Sequence, residues 1–379
     1  MSDTTVTSES WLSRLVGSIV GVFFGALLVV ASIVGLFWNE GRAVRASSSL
    51  KTGAGEVVSI SPNKVDPANE GRLVYTTGEA SSSEMLTDVT FGLGVQAIRF
   101  IRKVEMYQWK EERKTETRKK LGGGTETVTT YTYTNAWSPT LIDSTSFHEA
   151  AGHQNPATMP VVGASWAAQT VTLGAFTLAP EQVAKLDQTQ EVPVDGSPGH
   201  PVPKGMTVDQ GGYYRGANPA APAVGDERIS FEVVHPATIS LVARQVGHSF
   251  EPDRTTADPI LMVTYGTVSA DDMFKTAETQ NETLTWIVRG GGFVAMLIGF
   301  VLVFRPLVTV ADIVPLIGSL LGAGTFLVGF FMALSLSVLT IGVAWIAYRP
   351  LLGVLLLVAA VAAIFLLHRF AVEKRAARA

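Results

Sequence analysis

LVGSIVGVFFGALLVVASIVGLFWN, residues 15–39, is a run of twenty-five residues without a single charge. A helix rises about 1.5 Å per residue, so about 20 apolar residues cross the roughly 30 Å of bilayer hydrocarbon. The length of this run and its bulky Leu36-Phe37-Trp38 end argue against a cleaved signal peptide and for an uncleaved anchor over residues 15–38. Three further spans follow near the other end of the chain. Residues 283–304 form the second, with Arg289 close enough to its start to snorkel to the headgroups. The third, 313–347, is so long that it should contain interfacial turns, and the fourth covers 350–368. The break between them falls at Arg349-Pro350, where proline interrupts helical bonding. The chain therefore reads as an α+β membrane protein. One N-terminal and three C-terminal transmembrane helices flank a large inserted β-rich domain, residues 39–282, leaving a 1–14 segment and a basic 369–379 tail.

Composition agrees with lipid. Of 379 residues 47% are hydrophobic and 16% charged, against about 25% charge in an ordinary soluble domain. Residues 39–285 hold 21 Lys or Arg and 29 Asp or Glu, leaving a net positive charge on the flanks. An acidic domain offers no basic stripe for phosphates, which removes nucleic acid as a partner. The absence of cysteine rules out disulfides, a thiolate nucleophile and Cys-ligated metal. Four spans would put both termini on one side, with Arg14, Arg305, Arg369, Lys374, Arg375 and Arg378. Only Arg349 lies in the short opposite loop. The positive-inside rule then makes the termini cytoplasmic and the domain extracytoplasmic, although Arg42 and Arg45 weigh the other way.

Within the domain, residues 98–109 are rich in β-branched and aromatic side chains and predict a strand. A charged stretch runs on to Lys120, Leu121-Gly122-Gly123-Gly124 turns, and 125–137 returns. Lys110 to Lys120 holds six basic and three acidic residues, which suits a solvated hairpin arm better than a nucleic-acid surface. Residues 228–234, 238–250 and 260–268 read as strands, the first two turning at His235-Pro236, and a short helix is predicted from Pro180 through Leu186. The Gly- and Pro-crowded 192–225 reads as a long surface connection. Ser269 with Asp272 is an N-cap pair for a helix continuing into the second span. Asn39-Glu40-Gly41-Arg42 recurs as Asn69-Glu70-Gly71-Arg72, which turn chemistry explains without a repeat.

Chemistry has little to work with. His148-Glu149-Ala150-Ala151-Gly152-His153 tempts as a metal site, making a membrane-anchored hydrolase the alternative function. The second His is at i+5, however, off the face that i+4 would share. Hydrogen-bonding histidines in an ordered loop are the plainer reading. Asp143, Ser146 and His148 supply a Ser-His-Asp set only in name, and Gly122–Gly124 lacks the Lys and Ser or Thr of a phosphate loop. The sequon at Asn281-Glu282-Thr283 lies almost at the bilayer. No catalytic residue, metal or cofactor is expected. In the spans, Gly17, Gly21 and Gly25 share one helical face and Gly318 with Gly322 repeat the spacing, which suits either self-association or packing within the chain. No carboxylate or Lys sits at mid-membrane depth, so ion-coupled transport lacks its relay.

Several strings together resemble the LUMA family, transmembrane protein forty-three. They are Trp38-Asn39-Glu40, Ala68-Asn69-Glu70-Gly71-Arg72-Leu73-Val74, Val104-Glu105-Met106-Tyr107-Gln108-Trp109, Gly152-His153-Gln154-Asn155-Pro156, Val224-Gly225-Asp226, Ala243-Arg244-Gln245 and Tyr348-Arg349-Pro350-Leu351. The resemblance implies a four-span protein of internal membranes. In animals it implies an organiser of complexes at the endoplasmic reticulum and inner nuclear membrane, associating with itself, emerin and lamins. It carries over no catalytic residue. The Ala- and Gly-rich, Cys-free composition suggests a bacterial member without a lamina to bind, placed in the inner (cytoplasmic) membrane. The expected function is a non-enzymatic scaffold that self-associates among membrane lipids and organises membrane or envelope proteins. An envelope or lipid sensor working through the Ser269 helix is a further alternative.

Overall fold

A computed structural model describes residues 2–351 together with Leu355 and Val358, so the expected fourth span and the 369–379 tail lie outside the described residues. The chain divides into two compact units. Among the described residues one is β-rich, from residues 2–6, 52–116 and 128–274; the other contains residues 7–51, 117–127 and 275 onward.

Among the described residues the second unit is built on three helices long and apolar enough to cross a membrane. Helix α1 runs Trp11–Glu56, about 69 Å at 1.5 Å per residue, well past the expected end at residue 38. No proline in residues 39–56 stops it, the first proline being Pro62. Following the single-turn helix α2, Pro180–Val183, come α3, Ala270–Ala311, and α4, Pro315–Tyr348. The interfacial turns expected within 313–347 do not occur. Pro315 sits at the start of α4 and no further proline or charge interrupts it before Arg349-Pro350, so the run stays one helix. Leu36, Met296, Phe300 and Ala333 form the buried seam among the three helices.

The β-rich unit contains two main sheets. The first orders Ser2–Glu9, Thr125–Ser138, Arg99–Lys119, Glu227–Val234, Gly212–Arg215 and Thr207–Asp209. Its centre is the predicted hairpin, with Gly122 and Gly123 at positive φ in the turn, where glycine bears no Cβ penalty. Along Arg99–Lys119 burial alternates while the strand is in the core: Phe100, Val104, Met106 and Gln108 point in, and beyond Trp109 the side chains other than Glu111 reach solvent. Arg102 also points in, satisfied by Asp88 at 2.7 Å and stacked between Phe91 and Trp166.

In the second sheet Leu73–Ser81, Thr172–Leu173, Phe176–Thr177, Ser249–Glu251 and Ala237–Val246 pair in succession, and the last pairs again with the first. The sheet thus closes on itself. Glu227–Val234 and Ala237–Val246 do not form a hairpin with each other, because His235-Pro236 passes the chain from one sheet to the other. The expected surface connection at 192–225 is corrected. It contains the hairpin Thr207–Asp209 and Gly212–Arg215, turned by Gln210 and Gly211 at positive φ, with Tyr213 and Tyr214 buried. Glycine density read as loop there is turn chemistry serving a core strand.

Candidate functional site

Two of the strings that carried the resemblance close loops by bonding side chains to backbone. Gln108 is fully buried, its Oε1 accepting from Ile142 N at 2.7 Å while its Nε2 donates to Thr140 O at 3.0 Å. Asn155, before Pro156, answers it: its Oδ1 accepts from Trp109 N at 2.7 Å, and its Nδ2 donates to Trp109 O and Ile142 O. Alongside, Met106 is buried, Tyr107 packs on Trp137, and Glu105 accepts from Arg228 at 2.6 Å. Replacing Asn155 with Ala strands one N–H and two carbonyls and is expected to cost about 3 kcal/mol, measured as a lower unfolding midpoint of the full chain. An unchanged midpoint would mean that water replaces the amide.

At the second string Gly71, at φ +74°, donates its N–H to Gln245 O, and Gln245 N donates back to Arg72 O. Asn69 closes the preceding 3-10 turn, while Glu70 accepts from Gly247 N at 2.9 Å. The similar string at residues 39–42 is helical, so the two are not a repeat.

Asn39 and Glu40 do something else. Glu40 is buried, and three donors from two other helices meet its carboxylate. Arg289 Nε and Nη2 donate to its two oxygens at 2.7 and 2.8 Å, and Trp345 Nε1 donates to Oε2 at 2.8 Å. The guanidinium lies 4.7 Å from the Trp286 ring centroid and 5.7 Å from that of Trp345. Beside Glu40, Arg42 donates to Asn281 Oδ1 and Thr285 Oγ1, Asn281 donates to Ala43 O, and Asn39 donates to Thr285 O. α1, α3 and α4 are thereby tied at one level by polar groups whose partners are far apart in sequence. Arg289, expected to snorkel, is instead an ion-pair partner. The sequon residue Asn281 has both ends of its amide engaged. Beside this junction opens a cavity of about 330 Å³, with Arg289, Trp345 and Arg349 at one end and Lys51, Glu278 and Glu282 at the other.

Comparison with known proteins bears on these strings directly. Residues 106–350 match the family described as Transmembrane protein 43. Transmembrane protein 43 of Mus musculus is 33% identical over 367 residues, 93% of this chain and 91% of its own length. The chain belongs to the transmembrane protein 43 family. Its Homo sapiens relative is 33% identical over 366 residues, 93% of this chain and 90% of its own, and the Drosophila melanogaster homolog 30% over 348 residues, 89% and 91%. No solved structure matches.

In this transmembrane protein 43 family member the histidines do not converge. His148 stacks on Tyr131 with ring centroids 4.2 Å apart and its Nε2 is 3.0 Å from Asp3, whereas His153 lies between Tyr133 and Trp109 with Nδ1 on Glu149 O. Glu111 pins the loop, accepting from Tyr133 OH, His148 N and Arg113. Burial opposes ionisation of that carboxyl, and those bonds outweigh it, holding it below the ordinary glutamate range. Gly152 supplies a positive φ in the same loop. Asp143 and Ser146 bond within their own turn, away from His148.

The glycines divide. A Cβ on Gly25 would stand 2.5 Å from Gly299 O, so this glycine lets α1 and α3 touch backbone to backbone. Gly318 backs onto Asp312 and Gly322 onto Val308, whereas among the described residues Gly21 reaches only Leu302 at 3.9 Å and Gly17 meets nothing within 4 Å.

Asp312, between α3 and α4, holds the other polar junction. It is buried and accepts from Arg14 Nη2 and Lys119 Nζ, both at 2.6 Å. Around it Arg14 donates to Gly123 O, Gly122 N to Ile313 O and Trp11 Nε1 to Thr309 O. Burial works against the carboxylate, and the two cations more than offset it, so its pKa lies below the ordinary aspartate value. Arg14, counted among the charges of the terminal side, and the hairpin turn of the inserted domain are here bonded together. Counting charges misses this because Arg14 is neutralised by Asp312 rather than facing water.

Proposed function

We propose that this transmembrane protein 43 family member is a non-enzymatic multi-pass scaffold that self-associates and organises membrane protein complexes. The observation that carries the reading is a face of α1 that no described residue covers. Gly17 has no described atom within 4 Å of a Cβ built on it and lies among exposed Val16, Ile19, Val20 and Phe24, a surface on which another helix can approach closely. The polar groups gathered at Glu40, Asn155 and Asp312 bind one another rather than converging on a reactive centre. The membrane would be the inner membrane of a bacterium, or the endoplasmic reticulum or inner nuclear membrane of a eukaryote.

The test is co-purification of two differently tagged copies from lipid nanodiscs. Gly17→Leu should abolish it with an unchanged melting temperature. Gly25→Leu should instead lower stability by about 1–3 kcal/mol or more, by forcing α1 from α3. A wild-type chain that is monomeric in nanodiscs overturns self-association.

A further inference from the structure

We propose that the cavity beside Glu40 holds the headgroup of a zwitterionic phospholipid, a phosphate diester bearing a terminal ammonium. The inference does not depend on self-association. It rests on the order of charges along the cavity.

On α3, Glu278, Glu282, Trp286 and Arg289 follow one another at helical spacing, from the polar first turns toward the apolar run. On α1, Lys51 and Ser47 lie along the same wall, with Glu40 beyond its inner end. At that inner end Arg289 uses Nε and Nη2 on Glu40, leaving Nη1 without an acceptor among the described residues. Arg349, half-buried at the end of α4, likewise has no ion-pair partner among the described residues. Guanidinium groups so placed suit a phosphate, which takes charge-assisted bonds from planar donors. Toward the outer rim, Glu278 and Glu282 have no ion-pair partner among the described residues, and they suit an ammonium.

In a leaflet the phosphate of a zwitterionic lipid lies nearer the hydrocarbon than its terminal ammonium, which is the order of complementary charges here. Trp286, 68% exposed, and Trp345 place two indoles at the level where tryptophan anchors to headgroups. At the rim two carboxylates stand against the single ammonium of Lys51, so a headgroup without a cation would face a net negative charge there. Free phosphate would leave that charge unbalanced too, and would leave the lipid-facing side of the inner end uncovered.

The full chain, delipidated in detergent, is offered dioleoylphosphatidylethanolamine, dioleoylphosphatidylglycerol, soluble phosphoethanolamine or inorganic phosphate, and bound molecules are counted by native mass spectrometry. One phosphatidylethanolamine per chain should be retained in preference to phosphatidylglycerol. Arg349→Ala should weaken retention roughly tenfold, as expected for a lost charge-assisted bond. The double change Glu278→Gln with Glu282→Gln should reverse the preference toward phosphatidylglycerol. That pair lies on an accessible helix face, so its result stands even where Arg349→Ala lowers stability. Three results would overturn the proposal: phosphatidylglycerol preferred by the wild type, retention indifferent to both variants, or phosphoethanolamine or phosphate bound as tightly as the lipid. The last would make this a site for a soluble phosphate.

Discussion

Replacing Glu40 with Ala should leave little folded protein in the membrane. The carboxylate is fully buried and Arg289 nearly so, and removing one partner of such a pair leaves an uncompensated charge, a loss of about 3–5 kcal/mol. Trp345 Nε1 also loses its acceptor. The measurement is the thermal midpoint and yield of the full chain in detergent. The same physics predicts a partial rescue: Glu40→Ala combined with Arg289→Met removes both charges and should recover much of the loss. A single variant as stable as the wild type would show that the three helices do not depend on this junction.

A cysteine at Leu121 and another, tested alone, at Ser13 should both react with a membrane-impermeant maleimide from the same side. The natural chain has no cysteine to interfere, and Leu121 is 88% exposed at the hairpin turn. The expectation follows from the Arg14–Asp312–Lys119 cluster, which leaves no room for a bilayer between those residues. Because the Asp312 pKa is depressed, the stability it contributes is present above the unfolded value of about 3.9 and is lost as pH falls through the folded one, so labelling at neutral pH reads the intact cluster. Labelling from opposite sides would mean that these ion pairs do not form in a bilayer.

What the sequence made legible was local. An uncharged run of 25 residues can hardly be anything but a long helix, and the β-branched run into Gly122-Gly123-Gly124 and out again can hardly avoid a hairpin. Ser269 and Asp272 bond as an N-cap pair should, with Ser269 Oγ accepting from Asp272 N at 3.2 Å. The polar junctions were not legible. Glu40 meets partners 249 and 305 residues away, and nothing in the neighbourhood of either arginine or tryptophan announces the meeting. The one available signal was a carboxylate at the end of an apolar span and an arginine at the start of another, each costly alone and therefore in want of the other. Tyr213 and Tyr214 were hidden for a different reason: turn residues on both sides of a four-residue strand outweigh the strand in any window wide enough to judge periodicity.

The sheet that closes on itself has a consequence for synthesis. Ala80 pairs with Ala237, so the ring stays open until nearly the whole β-rich unit has been made. At about 5–20 residues per second the ribosome needs on the order of 10–30 s to cover that interval. Throughout it, Leu73–Ser81 lacks its longest partner and has only the two-residue strands Val58–Ser59 and, later, Thr172–Leu173 to pair with, α1 has already emerged, and the non-local pairing it awaits is slow to find. Assembly of this protein should therefore be sensitive to whatever shields a nascent strand at the membrane surface. Changes that slow elongation between residues 81 and 237 should raise aggregation without altering the finished fold.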